Sequence, residues 1–473
     1  MVFSSYIFIL LFLPVVLTGY YLLSLLQNGV WQRLFIIGAS LAFYGYYNIE
    51  YLQLIITSIA INYAIANIIQ NSPRPKCLLM AGIIFNVLLI GYFKYYDFFV
   101  QNINTLFKTD FVTKSILLPL GISFFTFQQL SFLVSIYKNE EKVEKLRDYC
   151  LFVTFFPQLV AGPIVLYSEM IPQFKDEQRR FFNADNFSRG IYIFCIGLFK
   201  KTIIADTLAF FVNNGFALGS LGFAGGWATA ISYTLQIYFD FSGYSDMAVG
   251  LGKMFNIDIP FNFRSPYRAT SVSEFWRRWH ITLGRALSTY IYRPLGGNRK
   301  GLPNTCFNLL LTFFVSGLWH GAAWTFIIWG ILHGIFVILE RIFENYLVKI
   351  PSKIRIFTTF LIVNSLWVIF RAENFSQAIK VYKGMLALTN PNITQIDSIV
   401  GHAAYINFPF VIDLIYFSTY IGVLLFMVFN SKNSASLLEG FAFSRKHLIT
   451  ASLLFSIAFL ALTRQSVFIY FNF

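Results

Sequence analysis

Two histidines lie in a long uncharged stretch of the chain. From Asn308 to Leu339 the sequence contains no Asp, Glu, Lys or Arg, yet it includes His320 and His333. This length crosses a bilayer and begins to return. An ionisable side chain is costly inside lipid and therefore points first to a functional site. Because Gly317 and Gly321 flank His320 and let another backbone or a ligand come close, we expect His320 to be the chemically active residue.

The chemistry open to such a histidine is narrow. The sequence contains no His-Glu-x-x-His motif and no Cys/His cluster, so we predict no metal site. It also lacks a Gly-x-Ser-x-Gly elbow, which disfavours a serine hydrolase. A lone imidazole can still take a proton from an alcohol, whose high pKa requires a base in direct reach. The competing interpretation is a buried structural histidine, and for His333 that interpretation is as good as a functional one.

A second group of capable residues lies in the segment Ser273–Leu283, where aromatic and basic side chains alternate. If this segment is helical, Trp276 and His280 are four residues apart and share a face. Arg277 and Arg278 then point elsewhere.

This segment has two interpretations. It is an amphipathic anchor at the membrane surface, where its arginines meet anionic lipid. Alternatively it forms a pocket for a phosphate-bearing donor, because Arg binds phosphate in a bidentate manner and Trp stacks on a base. Arg293, in the turn before Gly296 and Gly297, adds a further cation to the second interpretation.

The composition identifies the environment of these residues. Of 473 residues, 57% are hydrophobic and 12% are charged, and the mean hydropathy is +0.62. Soluble domains carry roughly 25% charged residues, so the chain is expected to be an all-α polytopic membrane protein. The net charge of +14 is explained by basic loops on the cytosolic side, so no nucleic-acid partner is predicted. The four scattered cysteines are interpreted as small apolar residues.

Apolar segments recur along the whole chain, and we predict a single integral-membrane domain over residues 1–473 with about 11–12 crossings, at about 20 residues per span. The segment Tyr149–Tyr167 contains two prolines and a glycine, which predicts a broken or re-entrant element shielded from lipid. The first span is expected to be a transmembrane helix and not a cleaved signal. The remaining predicted spans are Tyr6–Leu26, Leu34–Tyr47, Tyr51–Ile69, Leu78–Tyr96, Ile116–Ile136, Gly190–Phe211, Trp227–Leu251, a pair within 307–339 that meets near Gly321, Phe357–Phe370, Phe410–Phe429 and Leu448–Leu462.

One alternation places every basic loop in the cytosol, with both termini and the loops near 97–114, 213–226 and 371–409 outside. Charged residues inside the predicted spans must then face a bundle interior or each other. They are Lys200, Lys201, Asp206 and Asp240. A transporter or channel would use such residues and His320 to line a pathway, although the halves of the chain show no repeat symmetry.

Several motifs, taken together, make the sequence resemble the membrane-bound O-acyltransferase (MBOAT) superfamily, and more closely its bacterial alginate O-acetyltransferase branch. The resemblance runs nearly end to end. The motifs are Met1-Val-Phe-Ser-Ser, Leu118-Pro-Leu-Gly-Ile-Ser-Phe-Phe-Thr-Phe-Gln, Phe155-Phe-Pro-Gln-Leu-Val-Ala-Gly-Pro-Ile, Asp240-Phe-Ser-Gly-Tyr-Ser-Asp-Met, Glu274-Phe-Trp-Arg-Arg-Trp-His, Pro294-Leu-Gly-Gly-Asn-Arg, Gly317-Leu-Trp-His-Gly-Ala and Phe468-Ile-Tyr-Phe-Asn-Phe. One small departure is Asn472, where relatives often have Gln.

The resemblance implies an MBOAT fold of transmembrane, re-entrant and interfacial helices around a central tunnel. It implies transfer of an acetyl group from cytosolic acetyl-CoA, used as a substrate without any tightly bound cofactor, to an extracytoplasmic hydroxyl. His320 matches the family's catalytic histidine, and His280 matches its second signature polar position. Tyr470 matches an aromatic tail proposed as an acyl relay, although an interfacial anchor is an equal interpretation.

The resemblance also implies a bacterial inner-membrane location, an extracytoplasmic SGNH-type acetyltransferase partner and a polysaccharide acceptor such as alginate. In this interpretation Trp276, Arg277, Arg278 and Arg293 bind the donor. Peptidoglycan, cellulose and other envelope polysaccharides remain open as acceptors. D-alanyl transfer to teichoic acid is the alternative within the superfamily, and the alginate-type motifs disfavour it.

Overall fold

The computed structural model describes residues 1–26, 28–389, 395–400, 410–464 and 469. Within these residues the chain forms helices and no β-strand, as the composition predicts. Five helical stretches are long and apolar enough to cross a membrane, namely Glu50–Asn71, Pro75–Phe107, Gly301–His320, Trp324–Ile342 and Ser352–Arg371. Shorter apolar helices occupy Phe8–Leu23, Ile122–Tyr137 and Leu414–Asn430. The predicted number of 11–12 crossings stays a prediction.

The helices of the first half are α1 (Leu13–Leu23), α2 (Val30–Gly45), α3 (Glu50–Asn71), α4 (Pro75–Ile90), α5 (Tyr96–Phe107), α6 (Ile122–Tyr137), α7 (Leu146–Thr154), α8 (Phe156–Leu159), α9 (Tyr167–Lys175), α10 (Ala184–Phe199), α11 (Asp206–Ala217) and α12 (Phe223–Met254). Those of the second half are α13 (Val272–Arg278), α14 (Ile281–Leu287), α15 (Gly301–His320), α16 (Trp324–Ile342), α17 (Glu344–Leu347), α18 (Ser352–Arg371), α19 (Phe375–Met385), α20 (Gln395–Val400), α21 (Phe410–Asn430), α22 (Ser434–Glu439) and α23 (Arg445–Leu460). Turns of π-helix occupy Phe8–Phe12, Gly91–Tyr95, Lys200–Ala205 and Ser288–Tyr292, and 3₁₀ turns occupy Pro266–Arg268 and Leu462–Arg464.

The chain divides into two compact units. The first comprises Met1–Ile196, Tyr244–Pro260 and Phe441–Ser452, and the second comprises Gly197–Gly243, Phe261–Gly440 and Leu453–Phe473. All three histidines singled out by the sequence belong to the second unit. The single domain over residues 1–473 stays a prediction.

The predicted break within Tyr149–Tyr167 is confirmed. Helix α7 ends at Thr154, the one-turn helix α8 follows, and irregular backbone leads to α9. The side chains from Phe155 to Val165 are all buried, so this non-helical backbone is shielded by protein.

Three boundary predictions are wrong. The loop expected after Tyr96 is helical to Phe107. The span expected from Ile116 begins only at Ile122, because Pro119 disfavours helical backbone in the residue before it. The expected polar loop 371–409 contains helix α19, which buries Ala378, Val381 and Met385 at helical spacing.

Three of the four charges predicted to face a bundle interior or each other form a buried ion triad in the second unit, whereas Lys200 donates to the Ser434 hydroxyl at 2.7 Å. Lys201 Nζ lies 2.8 Å from Asp206 Oδ1 and 2.7 Å from Asp240 Oδ1, and all three side chains are 4% exposed or less. The backbone N–H of Ile469 donates to the other oxygen of Asp240 at 2.8 Å. The π-helical turn Lys200–Ala205, which interrupts the regular helix, contains the central lysine.

Candidate active site

The uncharged stretch folds as a helical hairpin that breaks where the sequence predicts. Helix α15 ends at His320, Gly321 and Ala323 have extended backbone, and α16 begins at Trp324. The two helices approach closely through glycines. A Cβ added to Gly317 would lie 2.5 Å from the carbonyl oxygen of Phe326, and one added to Gly330 would lie 2.4 Å from that of Phe313. Small residues at such positions allow membrane helices to pack backbone against backbone.

His320 is buried in an aromatic pocket at the end of α15. Its ring is 2% exposed and meets Trp329 edge-on, with centroids 5.0 Å apart. The ring of Phe370, from α18, lies 5.2 Å away. Three helices therefore fix the position of this imidazole, which is the arrangement that a positioned general base requires.

His333 also contacts Trp329, with ring centroids 4.9 Å apart. The indole N–H of Trp276 donates to Nδ1 of His333 at 3.2 Å. Since Nδ1 accepts this bond, the neutral ring carries its proton on Nε2. The structure thus brings Trp276, His320 and His333 together around one tryptophan.

A cavity of about 1130 Å³ opens beside this aromatic cluster. Trp276 lines it, as does Ser316, which precedes His320 by one helical turn. This volume exceeds that of a typical drug-sized pocket, roughly 300–1,000 Å³. The charged residues of its wall are Glu274, Arg277, Arg285, Glu340, Arg341, Glu344 and Arg355.

Within the described chain, three arginines of the cavity wall form no salt bridge, although the charge of Arg277 acts on Glu340. These arginines are Arg277, Arg341 and Arg355. Two wall glutamates already have partners. Glu274 binds Arg278 at 2.5 Å, and Glu340 accepts from the backbone N–H of Ser273 at 2.9 Å. The wall can therefore receive an anionic ligand.

Bonds around Glu274 keep it ionised. Burial alone would raise its pKa, but hydrogen bonds from the N–H and hydroxyl of Thr270 and from Arg278 lower the pKa below its usual value. The Glu274 carboxylate is therefore bound by Thr270 and Arg278.

Buried polar atoms without hydrogen-bond partners occur on both helices of the histidine hairpin. Among the described residues they include Ser316 Oγ, Thr325 Oγ1, Trp329 Nε1 and His333 Nε2. Ser316 and His320 are four residues apart on α15 and share one face. Thr325, Trp329 and His333 follow one another at four-residue intervals on α16 and also share one face. Orphaned buried donors are costly and call for a functional explanation. A bound substrate could offer an acceptor to the Ser316 hydroxyl, which also lines the cavity.

The predicted shared helical face of Trp276 and His280 is wrong. Helix α13 ends at Arg278, Trp279 is extended, and His280 is left-handed with φ of 44°. Directly after the helix, the Trp279 ring packs 4.9 Å from Phe263 and 5.0 Å from Trp367.

His280 is buried and contacts Phe241 of α12, with ring centroids 4.7 Å apart. Asn262 holds the backbone after it, accepting from the N–H of Thr282 at 3.2 Å. Burial lowers the pKa of His280 to about 3, so the ring is neutral. A left-handed, non-glycine residue stores about 1–3 kcal/mol of strain, which marks a position worth testing.

The other predicted donor-binding residues are placed differently. Arg278 binds Glu274 across one helical turn, and Arg293 is exposed. Within the described part of the chain, neither lines the cavity, whereas Trp276 and Arg277 do. Tyr470, the predicted relay residue, lies outside the described residues. No group of three His, Cys, Asp or Glu side chains in the described chain is arranged to hold a metal ion.

Sequence reasoning missed Ser316, Glu340, Arg341 and Arg355. A local signal existed for Ser316, which stands four residues before His320 and shares its face. The other three follow apolar spans and look like ordinary loop charges. Only the folded chain brings them to the cavity that Trp276 lines.

Comparison of the sequence with known proteins finds similarity to acyltransferases. The model of the membrane-bound O-acyltransferase family matches residues 135–371, a range that includes all three histidines. A peptidoglycan O-acetyltransferase of Helicobacter pylori is 42% identical over 100% of this chain and 98% of its own length. A probable alginate O-acetylase AlgI of Pseudomonas putida is 39% identical over 84% of this chain and 82% of its own length. A teichoic acid D-alanyltransferase of Bacillus subtilis is 30% identical over 48% of this chain and 60% of its own length.

Proposed function

Since this chain belongs to the membrane-bound O-acyltransferase family and is therefore a membrane O-acyltransferase, we propose that it moves an acetyl group from cytosolic acetyl-CoA to a hydroxyl for O-acetylation of an envelope polysaccharide. The single observation that supports this best is the arginine-walled cavity, which reaches Ser316, one helical turn from buried His320. Family membership displaces the transporter or channel hypothesis.

In the proposed reaction, the acceptor hydroxyl lies against His320, which takes its proton as the oxygen attacks the thioester carbonyl. The tetrahedral oxyanion then collapses, the carbon–sulfur bond breaks, and the CoA thiolate leaves with the proton returned by the imidazolium. The orphaned Ser316 hydroxyl is suited to donate to the oxyanion, where preorganised donors contribute most. His280 stays a proposed second polar residue of the site.

The proposed orientation puts the basic loops in the cytosol and both termini outside, in a bacterial inner membrane. Acetyl-CoA then enters from the side that carries Arg277, Arg341 and Arg355, and its phosphates bind the unpaired guanidinium groups. Trp276 remains proposed as a donor-binding surface. Arg278 and Arg293 are proposed as electrostatic support around the entrance, and Tyr470 as an acyl relay on the outer side.

We infer that the acceptor is a glycan hydroxyl, reached directly or through an extracytoplasmic SGNH-type acetyltransferase partner. Peptidoglycan is the first acceptor to test, because the peptidoglycan O-acetyltransferase matches the whole chain, and alginate is the second. D-alanyl transfer to teichoic acid has weaker support, since that relative matches 48% of the chain. Purified protein in liposomes should release free CoA from acetyl-CoA in the presence of acceptor. O-acetyl should disappear from one glycan when the gene is deleted. Absence of acceptor-dependent CoA release would contradict the proposal.

Replacing Arg277, Arg341 or Arg355 with glutamine should raise KM for acetyl-CoA about tenfold or more, because each loses a charge-assisted contact to phosphate. The value of kcat should change little. Added salt should raise the wild-type KM as well. Initial rates of CoA release measure these constants.

Arg299→Gln is the matched control, because this exposed arginine belongs to the same basic segment but does not line the cavity in the described chain. Its KM should stay near the wild-type value. An equal rise in all four variants would support the alternative interpretation, in which the arginines anchor the protein to anionic lipid.

Removal of the Ser316 hydroxyl by Ser316→Ala should lower kcat about a hundredfold with little change in KM, as expected for a lost oxyanion donor. Thr312→Val is the control. Thr312 lines the same cavity one turn earlier, but its hydroxyl already donates to the carbonyl of Asn308 at 2.6 Å. Equal kcat values for wild type and Ser316→Ala would remove Ser316 from the mechanism.

A further inference from the structure

Helix α13 forms part of the cavity wall but is too short to hold its own position. It has seven residues, Val272–Arg278, and presents Trp276 and Arg277 to the cavity. Isolated helices shorter than about 12–15 residues are marginal in water. The position of Trp276 therefore depends on contacts that α13 makes with the rest of the fold.

Two polar contacts dock α13 on α16. At its first turn, the carboxylate of Glu340 accepts from the N–H of Val272, from the N–H of Ser273 at 2.9 Å and from the Ser273 hydroxyl at 3.0 Å. At its middle, Trp276 donates to His333 at 3.2 Å. His333 and Glu340 are seven residues apart, two turns on one face of α16. The contacts thus fix both the start and the rotation of α13.

The second contact controls what stands between the cavity and His320. The Trp276 ring lies 5.6 Å from that of Trp329, and Trp329 lies 5.0 Å from His320. The ring of Phe313 also packs against Trp276, with centroids 5.5 Å apart. A rotation of the Trp276 indole would move the surface against which a donor in the cavity rests, and would change its distance from His320.

We propose that His333 is a positioning residue, which holds the Trp276 indole through Nδ1 and so sets where the donor thioester lies relative to His320. The inference deepens the proposed function and rests on it. His333 acts through Trp276, and its effect belongs to the chemical step, because a displaced reacting group costs rate even when binding is intact. Arg341 and Arg355, which are proposed to bind the donor, lie on α16 and α18 and do not depend on the docking of α13.

The test compares variants that remove or keep the atom of residue 333 that accepts the hydrogen bond from Trp276. His333→Phe keeps a ring and removes Nδ1, whereas His333→Asn places an amide oxygen close to the position of Nδ1. Trp276→Phe removes the indole N–H that donates the hydrogen bond and keeps an aromatic ring. His333→Phe should lower kcat about tenfold, as for one lost hydrogen bond, with KM for acetyl-CoA within about twofold of wild type, and Trp276→Phe should lower kcat by about the same factor. His333→Asn should recover most of the rate.

The double variant of His333→Phe and Trp276→Phe should be no slower than either single variant, because both remove the same bond. If the reduction in kcat of the double variant equals the product of the two single reductions, the inference is overturned, and His333 acts independently of Trp276, through Nε2. A His333→Asn variant as slow as His333→Phe would overturn it as well.

A second measurement does not depend on catalysis. Hydrogen–deuterium exchange of purified full-length protein should be faster over residues 272–278 in His333→Phe and Trp276→Phe, and close to wild type in His333→Asn. Unchanged exchange in both would overturn the docking of α13 by His333. If wild-type protein releases no CoA but the exchange pattern holds, the proposed function fails while the docking survives.

Discussion

Replacement of His320 by alanine should lower acetyl transfer about a thousandfold, within the range that a general base contributes. The imidazole is 2% exposed and is fixed by rings from α16 and α18. A neighbouring side chain cannot replace it, because the nearest histidine in the cluster, His333, has Nδ1 bound to Trp276. A hydroxyl acceptor without a base in reach remains protonated at neutral pH and attacks a thioester slowly.

The measurement is acceptor-dependent CoA release by purified protein, together with O-acetyl on envelope glycan in cells. His320→Gln should be as inactive as His320→Ala, since an amide has similar size but does not accept a proton. His447→Ala is the matched control, because this histidine lies at the start of α23 and bonds Ser444. His320→Ala and His320→Gln should both insert in the membrane at the wild-type level. Undiminished acetylation by His320→Ala would eliminate the proposed mechanism.

Replacement of Lys201 by methionine should destabilise the protein by about 3–5 kcal/mol, the cost of breaking a buried ion pair. The change would leave Asp206 and Asp240 as neighbouring carboxylates, each 4% exposed or less, without their shared cation. It should also loosen the contact at Ile469, whose N–H binds the second oxygen of Asp240. The expected phenotype is a low yield of folded protein, not a selective loss of acetyl transfer.

Thermal unfolding in detergent and the monodisperse fraction after purification measure this effect. Lys253→Met is the matched control. It also breaks a Lys–Asp pair, but Asp258 is 46% exposed, and exposed pairs are worth about 0–1 kcal/mol. Combining Lys201→Met with Asp206→Leu and Asp240→Leu should restore part of the lost stability, because no uncompensated charge remains. Wild-type stability of Lys201→Met alone would show that the triad does not support the fold.

The two outcomes also separate catalysis from folding. Replacement of His320 should lower the rate of acetyl transfer without changing the stability of the protein. Replacement of Lys201 should lower the stability first. The transporter interpretation of Lys201 and Asp240 required charges that face a pathway. In the fold these side chains pair with one another and with the backbone of Ile469, which is a structural arrangement.

The sequence by itself determined the features that depend on local pattern. Hydropathy predicts the membrane helices because crossing lipid requires a run of apolar residues. The prolines of the segment 149–167 predict its break, and Gly321 marks the turn of the histidine hairpin. Predictions of helix boundaries were wrong where polar and apolar residues alternate, as in the segment predicted as a polar loop that contains helix α19.

The tertiary structure alone decided which residues meet. Trp276 bonds His333 across 57 residues of chain, and Ser273 bonds Glu340 across 67. No periodicity encodes such pairs, because they depend on how the α15–α16 hairpin packs against a short helix whose own stability is marginal. The sequence therefore determined that His320 is a costly polar group inside an apolar hairpin. The packing of α13, α16 and α18 decided which aromatic rings contact it and which arginines line the neighbouring cavity.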